Sequence, residues 1–290
     1  MKISIGSGKG GVGKTFFTAS LISLLSKKFD LIAMDGDVDT PNLALSLGIT
    51  EFENKKSISI SKIASINEKC VNCMRCVDVC NFNAIDPPHV NRFLCEGCGA
   101  CKYVCPADAI EIKIRKTGEI KWTDTKYGKL VTAELELGQS GSGMLVDEEK
   151  KIVKSISNEN SIAVVDVPAG ISCTTISSIA GSDLFLGIVE PTAQSLSDLE
   201  RMLKIVNHFG IEFYIIINKY DLNVPFSKKI ESKYNVIGKI RFDENVPKSI
   251  SMMKPMVECF PSSGASVDLS NTIENVRKII ESRFKFIPNK

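Results

Sequence analysis

Along this chain, short runs of apolar residues alternate with longer stretches in which apolar residues recur every three or four positions. Residues 2–6 (KISIG) and 31–35 (LIAMD) read as buried strands, and residues 15–28 (TFFTASLISLLSKK) between them as a helix with lysines in its last turn. From about residue 57 the texture changes. Cysteines, prolines and short Ile-containing pieces replace periodic elements until about 118. Two strand-like pieces follow, EIKW (119–122) and KLVTAELEL (129–137), then the loop GQSGSG. From 144 the alternation resumes: a polar helix, the strands SIAVVDV (161–167) and DLFLGIVE (183–190), the helix SLSDLERMLKIVNHF (195–209), the apolar run FYIIIN (213–218), and a terminal helix over 267–284. Apolar strands separated by helices predict a parallel sheet covered on both faces. The expected fold class is α/β: a doubly wound, mostly parallel sheet formed by residues 1–56 and 119–290, interrupted by a cysteine-rich insert over 57–118.

The bulk numbers narrow the function classes. With 36 basic and 34 acidic residues the net charge is +2, which gives no general attraction to nucleic acid or membrane. No aromatic-plus-basic cluster points to nucleic acid, and no run of eighteen apolar residues suggests a membrane span. The start, MKISIGSG, leads directly into a strand, so no signal peptide and a cytoplasmic location are expected. In that compartment ten cysteines imply metal or redox chemistry rather than disulfides.

The stretch from Gly8 to Thr15 (GKGGVGKT) fits G-x-x-x-x-G-K-[ST] between a strand and a helix. Such a loop turns several backbone N–H groups toward one anion, and the helix N-terminus adds its dipole. Gly8, Gly10, Gly11, Val12, Gly13, Lys14, Thr15 and Phe16 are the expected nucleotide cradle. Lys14 is expected on the β- and γ-phosphates and Thr15 on Mg²⁺.

A phosphate loop needs one lysine, and this one has two, Lys9 and Lys14. KGGVGKT resembles the deviant Walker A motif of the MinD/Mrp/nitrogenase iron protein superfamily. That resemblance implies a nucleotide-dependent homodimer in which Lys9 reaches the phosphates bound by the other subunit. It makes Asp37 the residue that orients the attacking water and puts Asp35 near the Mg²⁺ shell. Asp166, in VVDVPAG, would stand behind Mg²⁺, Gly170 would sense the γ-phosphate, and VEPTAQSLSDLERML would line the nucleotide side. NKYD (218–221) is also the guanine-reading pattern of GTPases, whereas in the resembling ATPases an Asn at the place of Asn218 contacts adenine; ATP is favoured over GTP.

CVNCMRCVDVCNFNAI (70–85) and CEGCGACKYVCPADAI (95–110) are two copies of one pattern, C-x2-C-x2-C-x3-C. This is the bacterial ferredoxin run, in which the fourth cysteine of each copy ligates the other cluster. One [4Fe–4S] cluster is therefore expected on Cys70, Cys73, Cys76 and Cys105, and another on Cys95, Cys98, Cys101 and Cys80. Ile85 and Ile110 would fill a shared core. Zinc is the alternative occupant. Asn81 replaces the proline present as Pro106 in the second copy, which bears on the turn at Cys80. Taken together, the chain resembles the branch of MinD-type P-loop ATPases with an inserted two-cluster ferredoxin domain.

His89 reads as a surface residue, and Cys259 and Cys173 as buried thiols. The offset of Cys173 from Asp166 matches a cluster-binding cysteine of the nitrogenase iron protein, which leaves a dimer-bridging cluster open. VRKIIESRFKF reads as a packed helix, with a basic membrane anchor as the alternative. The expected function is an ATP-driven dimeric switch that gates electron flow through two clusters to a redox or metallocofactor partner. The rivals are an Fe–S or metallocofactor carrier and a MinD/ParA-like positioning ATPase with structural clusters.

Overall fold

The computed structural model describes the backbone of residues 1–284 and the side chains of residues 1–282. Six of the seven parallel strands of one sheet are β1 (Lys2–Gly6), β2 (Leu31–Asp35), β10 (Ile162–Asp166), β11 (Leu184–Val189), β12 (Glu212–Asn218) and β13 (Val236–Ile240). Three more complete it: β3 (Asn54–Ile58), β8 (Gly118–Thr125) and β9 (Gly128–Leu135). The order is β13-β12-β11-β1-β10-β2-β9-β8-β3. β9 runs parallel to β2, β8 antiparallel to β9, and β3 antiparallel to β8 at the sheet's border.

Covering both faces explains the apolar strands. In β2, Leu31 and Ala33 enter one core with Phe17, Leu21 and Leu269, while Ile32 and Met34 enter the other with Leu145, Leu199 and Met202. Helices Lys14–Leu25 and Gly264–Phe284 lie on the first face, and Ser142–Ile156 and Ala193–His208 on the second. Burying this many side chains against both faces is what holds the sheet, at roughly 1.5–3 kcal/mol for each fully buried large aliphatic residue.

The first helix ends at Leu25, before the lysines expected in its last turn. Phe29, 5% exposed, is drawn into the core and turns the chain into β2. The terminal helix begins at Gly264 and packs Val276 and Ile280 into the first core, as a structural helix does; residues 285 and 286 of the anchor alternative lie outside the described residues.

The cysteine-rich segment leaves the sheet after Ile58 and returns at Gly118, residues that pair across β3 and β8. Its frame is the antiparallel pair β4 (Ser61–Ile66) and β7 (Ile110–Arg115), with a smaller pair, β5 (Ile85–Asp86) and β6 (His89–Val90). It has its own core, which includes Ala64, Ala84, Ile85 and Ile110.

Candidate nucleotide site and cysteine pockets

The strand order changes direction at β1, whose neighbours are β10 and β11. In such sheets ligands bind beyond the carboxyl ends of the strands at this crevice. The Gly-rich loop occupies that position. Gly13 is left-handed (φ 91°), and a Cβ there would meet the Asn218 amide at 2.3 Å, so only glycine fits. Asn218, at the end of β12, donates to the Val12 carbonyl at 2.7 Å. Gly8 lies against the backbone of Asp198 and Leu199, while Gly10, Gly11 and Gly170 face open space. Gly170 donates its N–H to Ser7 O at 3.2 Å, so the turn after β10 touches the residue that joins β1 to the Gly-rich loop. Val12 is buried, and Phe16 is half-buried against the first core.

Lys14, Thr15 and Asp166 meet. The Lys14 ammonium is 2.5 Å from Asp166 Oδ2, Thr15 donates to the same oxygen at 2.6 Å, and Thr18 donates to Oδ1 at 2.7 Å. Asp35 ends β2 in register with Asp166 at the end of β10. Its carboxylate accepts N–H bonds from Asp37 (3.2 Å), Asn42 (2.8 Å) and Leu43 (2.8 Å), so it shapes the turn after β2. Burial first, and then the Asp166 carboxylate, push Asp35 up to about 7. Two buried carboxylates beside one ammonium and two hydroxyls make a site that a divalent cation and phosphates would suit. Asp37 is half-buried and accepts the Thr40 N–H at 3.2 Å.

Lys9 points along the surface to Glu190, 3.8 Å away, and Lys219 takes the other oxygen of Glu190 at 2.6 Å. Asp221, the last residue of NKYD, accepts the Phe242 N–H at 2.8 Å and so is held by a neighbouring loop.

One group here escaped the sequence reading. Glu149 lies on the inner stripe of helix Ser142–Ile156 with Leu145, Val146 and Val153, is 0% exposed, and has no hydrogen-bond partner on either oxygen. The signal was an acidic residue at an apolar position of an amphipathic helix. Burial, then the Asp35 carboxylate, raises its carboxyl well above 4.5. Glu149→Gln should therefore stabilise the protein increasingly as pH rises. Below about 4.5 the Glu149 carboxyl of the parent is protonated both folded and unfolded, so the two proteins respond alike to pH. Above it the unfolded parent loses a proton that the fold retains, at up to about 1.4 kcal/mol per pH unit. Thermal midpoints of the two proteins from pH 5 to 8 should diverge; parallel profiles would refute the assignment.

In the cysteine segment the two copies match in detail. Cys80 Sγ accepts the Ala84 N–H at 3.4 Å, and Cys105 Sγ accepts the Ala109 N–H at 3.3 Å. Short helices Arg75–Asp78 and Ala100–Tyr103 each follow a left-handed residue, Met74 and Gly99. Two pockets lie between the copies. Cys70, Cys73, Cys76 and Cys105 line one; Cys80, Cys95, Cys98 and Cys101 line the other. Each therefore takes its fourth thiol from the opposite copy. Burial, with smaller contributions from neighbouring thiols, pushes the Cys76 and Cys101 thiols up. Among the described residues no group of three His, Cys, Asp or Glu side chains is drawn together closely enough to hold a metal ion.

Cys173 differs from expectation. It is exposed, at the start of helix Cys173–Ile179, because that turn faces outward beyond the sheet. Cys259 is half-buried rather than buried, and His89 is exposed on β6.

The sequence profile of the CobQ/CobB/MinD/ParA nucleotide binding domain matches residues 3–256. An uncharacterised protein of Methanocaldococcus jannaschii is 38% identical, over 97% of this chain and 98% of its own. A protein of the same organism described as ATP-binding is 30% identical, over 88% of this chain and 91% of its own. The fold is similar to that of the septum site-determining protein MinD of Pyrococcus horikoshii, solved with Mg-ADP. The TM-score is 0.63 at 19% identity, with 98% of each chain covered.

Proposed function

The chain belongs to the CobQ/CobB/MinD/ParA nucleotide-binding family, and we propose that it is an ATP-hydrolysing dimeric switch that gates electron transfer through two [4Fe–4S] clusters to a partner protein. The fold is a MinD-like P-loop sheet. On that frame Lys14 and Thr15 would hold the terminal phosphates and Mg²⁺, with Asp35 and Asp166 behind the cation. Asp37 would orient the attacking water, Gly170 would sense the γ-phosphate, and Asn218 would turn its amide from Val12 to adenine. Asp221 is already bonded to Phe242, which favours ATP over GTP. Lys9 would leave Glu190 for the partner subunit's nucleotide.

The observation that carries the redox half is the composition of the two pockets, each lined by the four thiols that the ferredoxin spacing assigns to one cube. Two complete C-x2-C-x2-C-x3-C copies with crossed fourth thiols suit two cubes better than single zinc ions. When bound, each cube supplies a one-electron couple; the chain supplies the thiols and the backbone N–H groups that face them.

The test is anaerobic isolation with analysis of metal and sulfide. About eight iron and eight sulfide per chain are expected, and Cys76→Ala should retain about half, since its replacement opens one pocket only. Zinc in stoichiometric amount would overturn the assignment. The MinD/ParA-like positioning reading fits the same fold. It predicts clusters that take up and release no electrons while the ATPase turns over. A carrier would instead pass iron to an apoprotein.

A further inference from the structure

A second cavity lies away from the phosphate loop, where β1 and β10 begin. It measures about 840 Å³, within the range that small organic ligands occupy. One wall is the helix Ser142–Ile156, and Lys2 of β1 and Ala163 of β10 stand on the other side. Met1, Ala163 and Ala180, each partly exposed, supply its apolar surface, with Met34 and Val165 buried behind them.

The charged lining is one-sided. Lys2, Lys150, Lys151 and Lys154 face two carboxylates, Asp147 and Asp183. Both carboxylates are engaged. Asp147 accepts from Ser177 at 2.6 Å and from Lys150 at 3.3 Å, and Asp183 accepts the Lys2 backbone N–H at 2.7 Å. Lys151 is paired with Glu148. The Lys2 ammonium donates to the carbonyls of Ser178 (2.7 Å) and Ala180 (3.0 Å), which leaves one of its three N–H bonds. Lys154 makes no ion pair among the described residues. Burial, and then the neighbouring Lys150, hold the Lys2 amine down at about 7, a cost that an anion beside it would offset.

We propose that this cavity binds a small organic anion, a phosphate or carboxylate head on an apolar body. The head is held by Lys2 and Lys154, and the body lies on Met1, Ala163 and Ala180. The site is separate from the nucleotide site and does not depend on the function proposed above.

The experiment is calorimetric titration of the full chain, saturated with Mg-ADP to occupy the phosphate loop. Three probes are compared: hexyl phosphate, inorganic phosphate and hexanol. Hexyl phosphate should bind once per chain and more tightly than either fragment. Lys154→Glu, a surface change that leaves the fold intact, should weaken it by about tenfold or more, as the loss of one hydrogen bond to a charged group implies. Lys2→Met should weaken it similarly. No saturable binding of hexyl phosphate, equal binding of hexanol, or unchanged affinity in Lys154→Glu would each overturn the proposal. So would hexyl phosphate that binds only when Mg-ADP is left out, because that places it in the phosphate loop.

Discussion

Lys9→Ala should bind Mg-ATP nearly as tightly as the parent, remain monomeric, and lose hydrolysis on the order of a hundredfold to a thousandfold, as removal of one preorganised charge from a transition state does. Lys14→Ala should instead lose tight binding itself. The environments of the two lysines separate the outcomes further. Lys9 is 33% exposed and only 3.8 Å from its nearest carboxylate, so its loss should barely alter stability. Lys14 is 11% exposed and neutralises the buried Asp166. Its removal leaves a carboxylate buried without its cation, which costs on the order of 3–5 kcal/mol when such pairs are broken from one side. Sedimentation with Mg-ATP, nucleotide titration, phosphate release and thermal unfolding measure these effects separately. A Lys9→Ala protein that dimerises and hydrolyses like the parent would show that this lysine serves its own subunit, or nothing.

Binding of Mg-ATP, or of a non-hydrolysable analogue, should shift the potential or EPR lineshape of at least one cluster, with a smaller effect from Mg-ADP. The route is a ladder of hydrogen bonds from the turn carrying Asp37 to the root of the cysteine segment. Leu135 N–H donates to Val38 O at 2.9 Å, and Glu136 N–H to Thr117 O at 2.9 Å. The Thr117 hydroxyl, fully buried, accepts the N–H groups of Ile60 (2.9 Å) and Ser61 (2.7 Å). Ser61 then donates to Ser140 O at 3.1 Å, and Phe93 packs so closely on Gly138 that a Cβ there would meet its ring at 2.2 Å. Phosphate-sensing turns move on binding and hydrolysis, so a movement of the Asp37 turn would reach β4 through hydrogen bonds already made. Typical coupling of about 1–3 kcal/mol corresponds, at about 59 mV per tenfold for one electron, to a shift well within reach of titration. Thr117→Val strands two buried N–H donors, so the nucleotide effect should shrink while iron content is kept. Asp37→Asn should keep the ATP effect and lose turnover. Superimposable titrations in the apo, ADP and analogue states would make the cysteine segment a passenger on the isolated ATPase.

Strong local grammar made most of this readable in advance. The phosphate loop needs glycines at set positions, and Asp35 and Asp166 stand where apolar strands stop, so their place beside Lys14 follows once the strands pair in parallel. The cysteine copies carried their own alignment, and the crossed sets Cys70/73/76/105 and Cys80/95/98/101 appear as two pockets. Glu149 left only a faint signal, an acid at an apolar position, because tertiary packing decides which face of the polar helix 142–156 is inward. Cys173 failed for a related reason: the motif gave its distance from Asp166 along the chain but not the outward turn of its helix. The strand Val236–Ile240 also left little trace, because an edge strand is half-exposed and lacks a long apolar run. The clasp at Thr117 depends on residues some 57 positions apart along the chain, a pairing no local pattern encodes.

The border strand β3 has a bearing on how this molecule behaves when crowded. Asn54 to Ser57 are exposed, and Lys55 and Lys56 project one to each side of the ribbon. An unprotected strand border invites a second chain to extend the ladder, the first step toward fibrils. Paired ammonium groups on that border repel an identical copy and keep its outer N–H and C=O groups in water. Self-association by sheet extension is thereby discouraged, which keeps this border from competing with the nucleotide-dependent pairing proposed for the loop end of the sheet.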